Sequence, residues 1–214
     1  MNLSIFGTDI LTNVLDVISQ ALAIPVIVIL LIIIIITVLF AGGFISECLS
    51  RIKVPFPVLK NLIYNINNAN SSEDVKNIIN EAEIPKSQKF VLCEIANSDN
   101  LNKNTREAFS RKLVEIEEEN IDKTLEKTDI ITRIGPTLGL MGTLIPMGPG
   151  LAALGSGDII TLAQSLTVAF NTTIVGIGSG AVCYIISRIR RRWYEEYLST
   201  LDSLSDCVLD YMNK

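Results

Sequence analysis

The stretch that decides the fold is IGPTLGLMGTLIPMGPGLAAL at 134–154, GSGD at 155–158, then IITLAQSLTVAFNTTIVGIGSGAVCYII at 159–186. Neither long segment contains Asp, Glu, Lys or Arg. Each is long enough to cross a hydrocarbon layer of about 30 Å at about 1.5 Å per helical residue. Yet both are polar inside. The first carries Thr137 and Thr143; the second carries Thr161, Gln164, Ser165, Thr167, Asn171, Thr172, Thr173 and Ser179. Hydroxyls and amides at membrane depth bond a neighbouring helix or line water. Glycines recur at helical spacing, at Gly135, Gly139 and Gly142 in the first segment and at Gly176 and Gly180 in the second. Small residues so spaced let two helix backbones approach closely. The stretch therefore reads as a close-packed helical hairpin belonging to a transmembrane pore.

A third apolar run lies upstream. Ile24–Ala41 reads IPVIVILLIIIIITVLFA and sits in an uncharged stretch from Val17 to Ser46. The residues before it include Asp9 and Asp16 and no Lys or Arg, which does not fit a secretory signal. It reads as a span that ends at Gly42-Gly43, has no polar face and looks to lipid. The expected fold is thus an all-α membrane protein. Three transmembrane helices, at 24–45, 130–154 and 159–187, carry long helical extensions outside the membrane.

Charge sets the expected topology. All 18 Lys and Arg residues fall between Arg51 and Arg133 or from Arg188 onward. Cytoplasmic flanks are rich in Lys and Arg. This places the N-terminus outside a cell membrane, residues 46–129 in the cytosol, a tight hairpin outside, and 188–214 inside as a C-terminal helix. Arg188, Arg190, Arg191 and Arg192 are the anchors of that topology; directly after a span, they do not read as a nucleic-acid site. Residues 1–23 place Leu3, Ile10, Leu11, Val14, Leu15, Ile18 and Leu22 at helical spacing. They form an external amphipathic helix or simply extend the first span, with Pro25 at the junction.

In the 46–129 region, Ser71 or Ser72 before Glu73 and Asp74 marks a helix start. Asn104 with Glu107 resembles a capping box, and the helix it opens should run as one rod into the second span. Pro146 and Pro149 suggest distortion near that span's outer end. Glu115, Glu117, Glu118 and Glu119 are either a solvated face or a cation-concentrating rim at a pore mouth. Trp193, Tyr197, Leu201, Leu204, Val208 and Tyr211 make an apolar stripe on the tail. The chain has no histidine, and Cys48, Cys93, Cys183 and Cys207 form no CxxC pair. No metal site, cofactor or enzyme activity is expected.

With GPTLGLMGTL at 135–144 and NTTIVGIGSGA at 171–181, in the last two of three spans, the sequence resembles the MotA/TolQ/ExbB proton-channel family, in its TolQ/ExbB-like form. The resemblance implies a ring-forming homo-oligomer, a pentamer, around a single-span partner like TolR, ExbD or MotB. That partner supplies an intramembrane Asp. It further implies that Thr143 and Thr173 are the pore hydroxyls, with Thr172 adjacent and Asn171 nearby. TolQ- and ExbB-like members commonly carry Glu five residues before the second Thr; Val168 stands there in this chain. The implied function is an ion, in the family a proton, channel subunit of a motor driven by the proton-motive force. A flagellar-stator-type subunit is a subordinate version, and a non-conducting scaffold is the alternative from another class.

Overall fold

The computed structural model describes residues 3–213, with side chains from Leu11 to Asn213. Among these residues the chain is all-α: α1 Leu3–Ser50, α2 Phe56–Asn67, α3 Ser72–Glu81, α4 Lys86–Ala96, α5 Lys103–Gly155 and α6 Ile159–Met212. Three of them, α1, α5 and α6, are long and apolar enough to cross a membrane. The fold is that of an all-α membrane protein.

The chain divides into two compact units. One holds residues up to Ile45 together with Glu126–Ser187; the other holds Ser46–Leu125 and the tail from Arg188.

In the first unit, α1 is unbroken from Leu3 to Ser50, with Pro25 inside it. Residues 3–23 are the opening of that same helix; the side chains of Leu3 and Ile10 lie outside the described residues. The helix does not stop at Gly42-Gly43, since both glycines stay helical, at a cost of about 1 kcal/mol each relative to alanine. Nor does α1 look only to lipid. Val26, Leu30, Ile33 and Thr37, spaced four, three and four apart, are buried along one stripe. Ile33, with Ile36 and Phe40 beside it, packs on Ile131, Leu138 and Cys183 of the hairpin. Thr37 donates to its own Ile33 carbonyl at 2.8 Å and lies 3.7 Å from the Cys183 sulfur. A run of identical aliphatic residues hides such a face, because every face of the helix is equally apolar.

Helix α5 passes through Pro136, Pro146 and Pro149 and remains helical to Gly155. Membrane helices tolerate proline where neighbours or local adjustments satisfy the freed carbonyls. The chain reverses at 156–158. The Ala153 carbonyl accepts from the amides of Ser156 and Asp158, and Gly157 takes φ +81°. Only glycine adopts that left-handed geometry without steric cost. Asp158 then caps α6: its carboxylate accepts from the Thr161 amide at 3.0 Å and the Thr161 hydroxyl at 2.5 Å.

The second unit has a conventional apolar core. Leu62 and Ile66 of α2, Val75 and Ile79 of α3, and Leu92 and Ile95 of α4 meet Leu201, Leu204 and Val208 of α6. The stripe on the tail therefore packs mainly on the three short helices, with Leu113 and Val114 of α5 at the margin. Ser71 caps α3 by accepting the Asp74 amide at 3.1 Å. At the start of α5 the cap is Asn102, which accepts the Thr105 amide at 3.0 Å; Asn104 is already inside the first turn. Buried Arg106 ties this corner together through the carbonyls of Ser98, Leu101 and Met212.

Candidate functional site: an uncharged helical hairpin

The α5–α6 seam is built from glycine. A Cβ added to Gly135 would stand 2.8 Å from the Gly176 carbonyl oxygen, and one added to Gly176 would stand 2.5 Å from that of Gly135. At Gly139 the same test meets the Gly176 Cα and the Thr172 carbonyl, both at 3.3 Å. At Gly180 it meets the Pro136 ring at 2.8 Å. Toward the turn, Gly142 receives Thr172 and Gly150 receives Ser165. At the other end the Ser187 hydroxyl bonds the Asp129 carboxylate. These pairings run antiparallel in constant register from 129/187 to 150/165. At about 1.5 Å per residue that is roughly 30 Å, the thickness of a hydrocarbon layer.

Around this seam the polar groups separate. Thr172 is 8% exposed and sits in the seam itself, against Gly142. Thr143 and Thr173 are half-buried at its border. At about 100° per residue, Thr143 lies on the opposite flank of α5 from Ile131 and Leu138, the residues that meet α1. On α6, Thr173 is offset from the seam away from Val168, which shares a cavity with α1 residues. Thr143 and Thr173 thus border the same side of the hairpin, the side away from α1. Asn171 is exposed and lies about 160° around α6 from Thr173. It joins Gln164 and Thr167 in an outward polar row. The structure brings Thr143 and Thr173 to one flank and does not bring Asn171 to it.

Each threonine hydroxyl is anchored on its own helix. Thr143 donates to the Leu140 carbonyl at 2.6 Å, Thr173 to Ala169 at 3.1 Å and Thr172 to Ala169 at 2.9 Å. Such bonds hold the oxygen in place and leave its lone pairs available. A fixed hydroxyl oxygen can accept from a carboxylic acid, and by rotating its proton it can donate to a carboxylate. Val168 lines a cavity of about 160 Å³ with Gln20, Ile27, Gly142, Ile145 and Pro146.

The arginines after α6's apolar half divide as well. Arg190 pairs with Glu47 at 2.7 Å, and the Tyr194 hydroxyl donates to the same carboxylate at 3.0 Å. Burial, reinforced by the negative Glu47, pushes the Tyr194 phenol up to about 12. Arg188, Arg191 and Arg192 line a cavity with Arg51 and Lys53.

Two contacts escaped the sequence reading. The Thr37–Cys183 contact leaves no pattern in an all-aliphatic span. The Asp129–Ser187 pair was visible in principle, because extending the glycine register of the hairpin by two helical turns leads to it.

A helical hairpin whose two apolar segments carry no charge, packed backbone to backbone and with hydroxyls on one flank, makes this a polytopic membrane protein. The model of the MotA/TolQ/ExbB proton channel family matches residues 80–203, more than half of the chain, and the chain belongs to that family. It is a family of channels rather than of enzymes. A comparison with individually curated proteins returns no match.

Proposed function

We propose that this chain is the ion-channel subunit of a motor driven by the proton-motive force. Several copies, five by the family resemblance, form a ring around the helices of a smaller partner of the TolR, ExbD or MotB type. The N-terminus and the α5–α6 turn face outward, and α6 from its arginine cluster onward lies in the cytoplasm. The reading is carried by one observation: Thr143 and Thr173 border the same flank of an uncharged hairpin, away from α1. Neither α5 nor α6 has an ionisable side chain between Ile134 and Ile186 other than Asp158 in the turn and the weak acids Cys183 and Tyr184. A proton path along them therefore needs a carboxylate from elsewhere. An intramembrane carboxylate is costly unless hydroxyls and water surround it, and the two threonines supply hydroxyls to either of its protonation states.

The test is proton uptake into liposomes holding this protein with such a partner, comparing wild type with Thr143→Val and Thr173→Val. Flux that needs the partner and falls by about tenfold or more in either variant supports the channel. Unchanged flux in both variants overturns the assignment of these residues. A folded complex that passes neither protons nor sodium would make the chain a non-conducting scaffold.

A further inference from the structure

We propose that the chain carries a binding site for a phosphate-bearing anion, the headgroup of an acidic phospholipid, at the Arg-rich middle of α6, just past its apolar half. The site is a cavity of about 770 Å³. Five cationic side chains line it: Arg51 and Lys53 from the segment after α1, and Arg188, Arg191 and Arg192 from α6. Two carboxylates, Glu195 and Glu196, share the lining, so positive charge is in excess.

Part of the site is held rigid. The Arg51 guanidinium stacks 4.7 Å from the centre of the Trp193 ring and bonds Glu196 at 3.0 Å. It is therefore presented in a fixed orientation without an ordering cost on binding. Arginine forks match phosphate geometry in two-point contacts. Among the described residues, Lys53, Arg188 and Arg192 enter no ion pair, although they share one cavity. Mutual repulsion among cations that line one cavity is relieved by an anion between them. Arg190 shows the contrast: two residues from Arg188 and from Arg192, and so on another side of α6, it is already neutralised by Glu47.

Position favours a lipid over free phosphate. Arg188 follows the uncharged 159–187 segment directly, and Trp193, an interfacial residue type, is part of the lining. Basic pockets beside membrane helices recognise anionic headgroups. Such a lipid would bridge the segment after α1 to α6, which Arg51–Glu196 also links, beside the Arg190–Glu47 pair between α6 and the last turn of α1.

The full-length protein in neutral-detergent micelles is to be titrated with phosphatidylglycerol, phosphatidylcholine and inorganic phosphate. Bound lipid is counted by native mass spectrometry, and the thermal midpoint is followed in parallel. Phosphatidylglycerol should be retained about tenfold more than phosphatidylcholine and should raise the midpoint. The Arg188→Gln/Arg192→Gln variant should lose that preference. Lys53→Gln, an exposed position outside any helix, should weaken it even if the double variant fails to fold. Equal retention of the two lipids, or a preference untouched by Lys53→Gln and by a folded double variant, would overturn the proposal. Protection by inorganic phosphate alone would overturn the lipid assignment.

Discussion

At Gly139 the neighbouring backbone comes within 3.3 Å of the place where a side chain would begin. At Leu204, in the other unit, residues from α2, α3 and α4 close around a side chain that is wholly buried. The first arrangement suits a medium as apolar as leucine itself. There, burying leucine gains little, and helices associate through close backbone contact. The second suits water, where each buried aliphatic side chain contributes about 1.5–3 kcal/mol. One chain thus uses two modes of adhesion, and α5 and α6 each contain both. Their apolar halves are rich in glycine and hydroxyls, and the tail of α6 carries leucine and valine at the same helical spacing.

This contrast is open to direct attack. Gly176→Leu should have the largest effect. It drives a side chain into the Gly135 carbonyl and the Gly139 backbone, which cannot move aside as a flexible side chain would. A loss of about 3 kcal/mol or more is expected, read as unfolding of the hairpin in micelles by circular dichroism. Retained stability would mean that the seam is not backbone-limited. Leu204→Ala tests the other mode by opening a cavity in the aliphatic core. A loss of about 3 kcal/mol in denaturant titration is expected; a value near zero would deny that core its role.

A smaller effect sharpens the boundary between the two modes. The folded chain holds the Tyr194 proton up to about 12, whereas the free phenol releases it near 10. Between those values the unfolded chain binds fewer protons, so stability falls as pH rises through the window. The group is half-buried, and after screening the loss is about 1 kcal/mol. The drop should be shallower in Tyr194→Phe; identical pH profiles would remove Tyr194 from the account. Gly178→Ala should do least. Its Cβ meets nothing within 4 Å, so helix propensity alone acts, stabilising by about 0.5–1 kcal/mol. A large loss there would reveal a contact made outside this chain, as with a second copy.

Much of this was legible before any coordinates. Uncharged runs of sufficient length define the spans, because membrane thickness converts directly into residue count. Helical spacing marked the tail stripe, and Ser71 or Ser72 before Glu73 and Asp74 marked the start of α3, where the cap is Ser71. The site was only partly legible. The glycine spacing indicated close approach, yet Thr172 and Thr173 could not be told apart. One residue is about 100° of rotation, and only the position of α6 against α5 puts Thr172 in the seam and Thr173 on the flank. Asn171 stood beside them in sequence and faces elsewhere for the same reason.

The sequence by itself determined the class of the molecule, an all-α membrane protein with a polar uncharged hairpin, because solvent partitioning and helical period are properties of residues in order. Tertiary structure alone decided which face of α1 is covered, where Arg190 parts from its neighbouring arginines, and which hydroxyls share a side. Those are relations between elements far apart in the chain, and they depend on the rotation and register of packed helices, which no local pattern encodes.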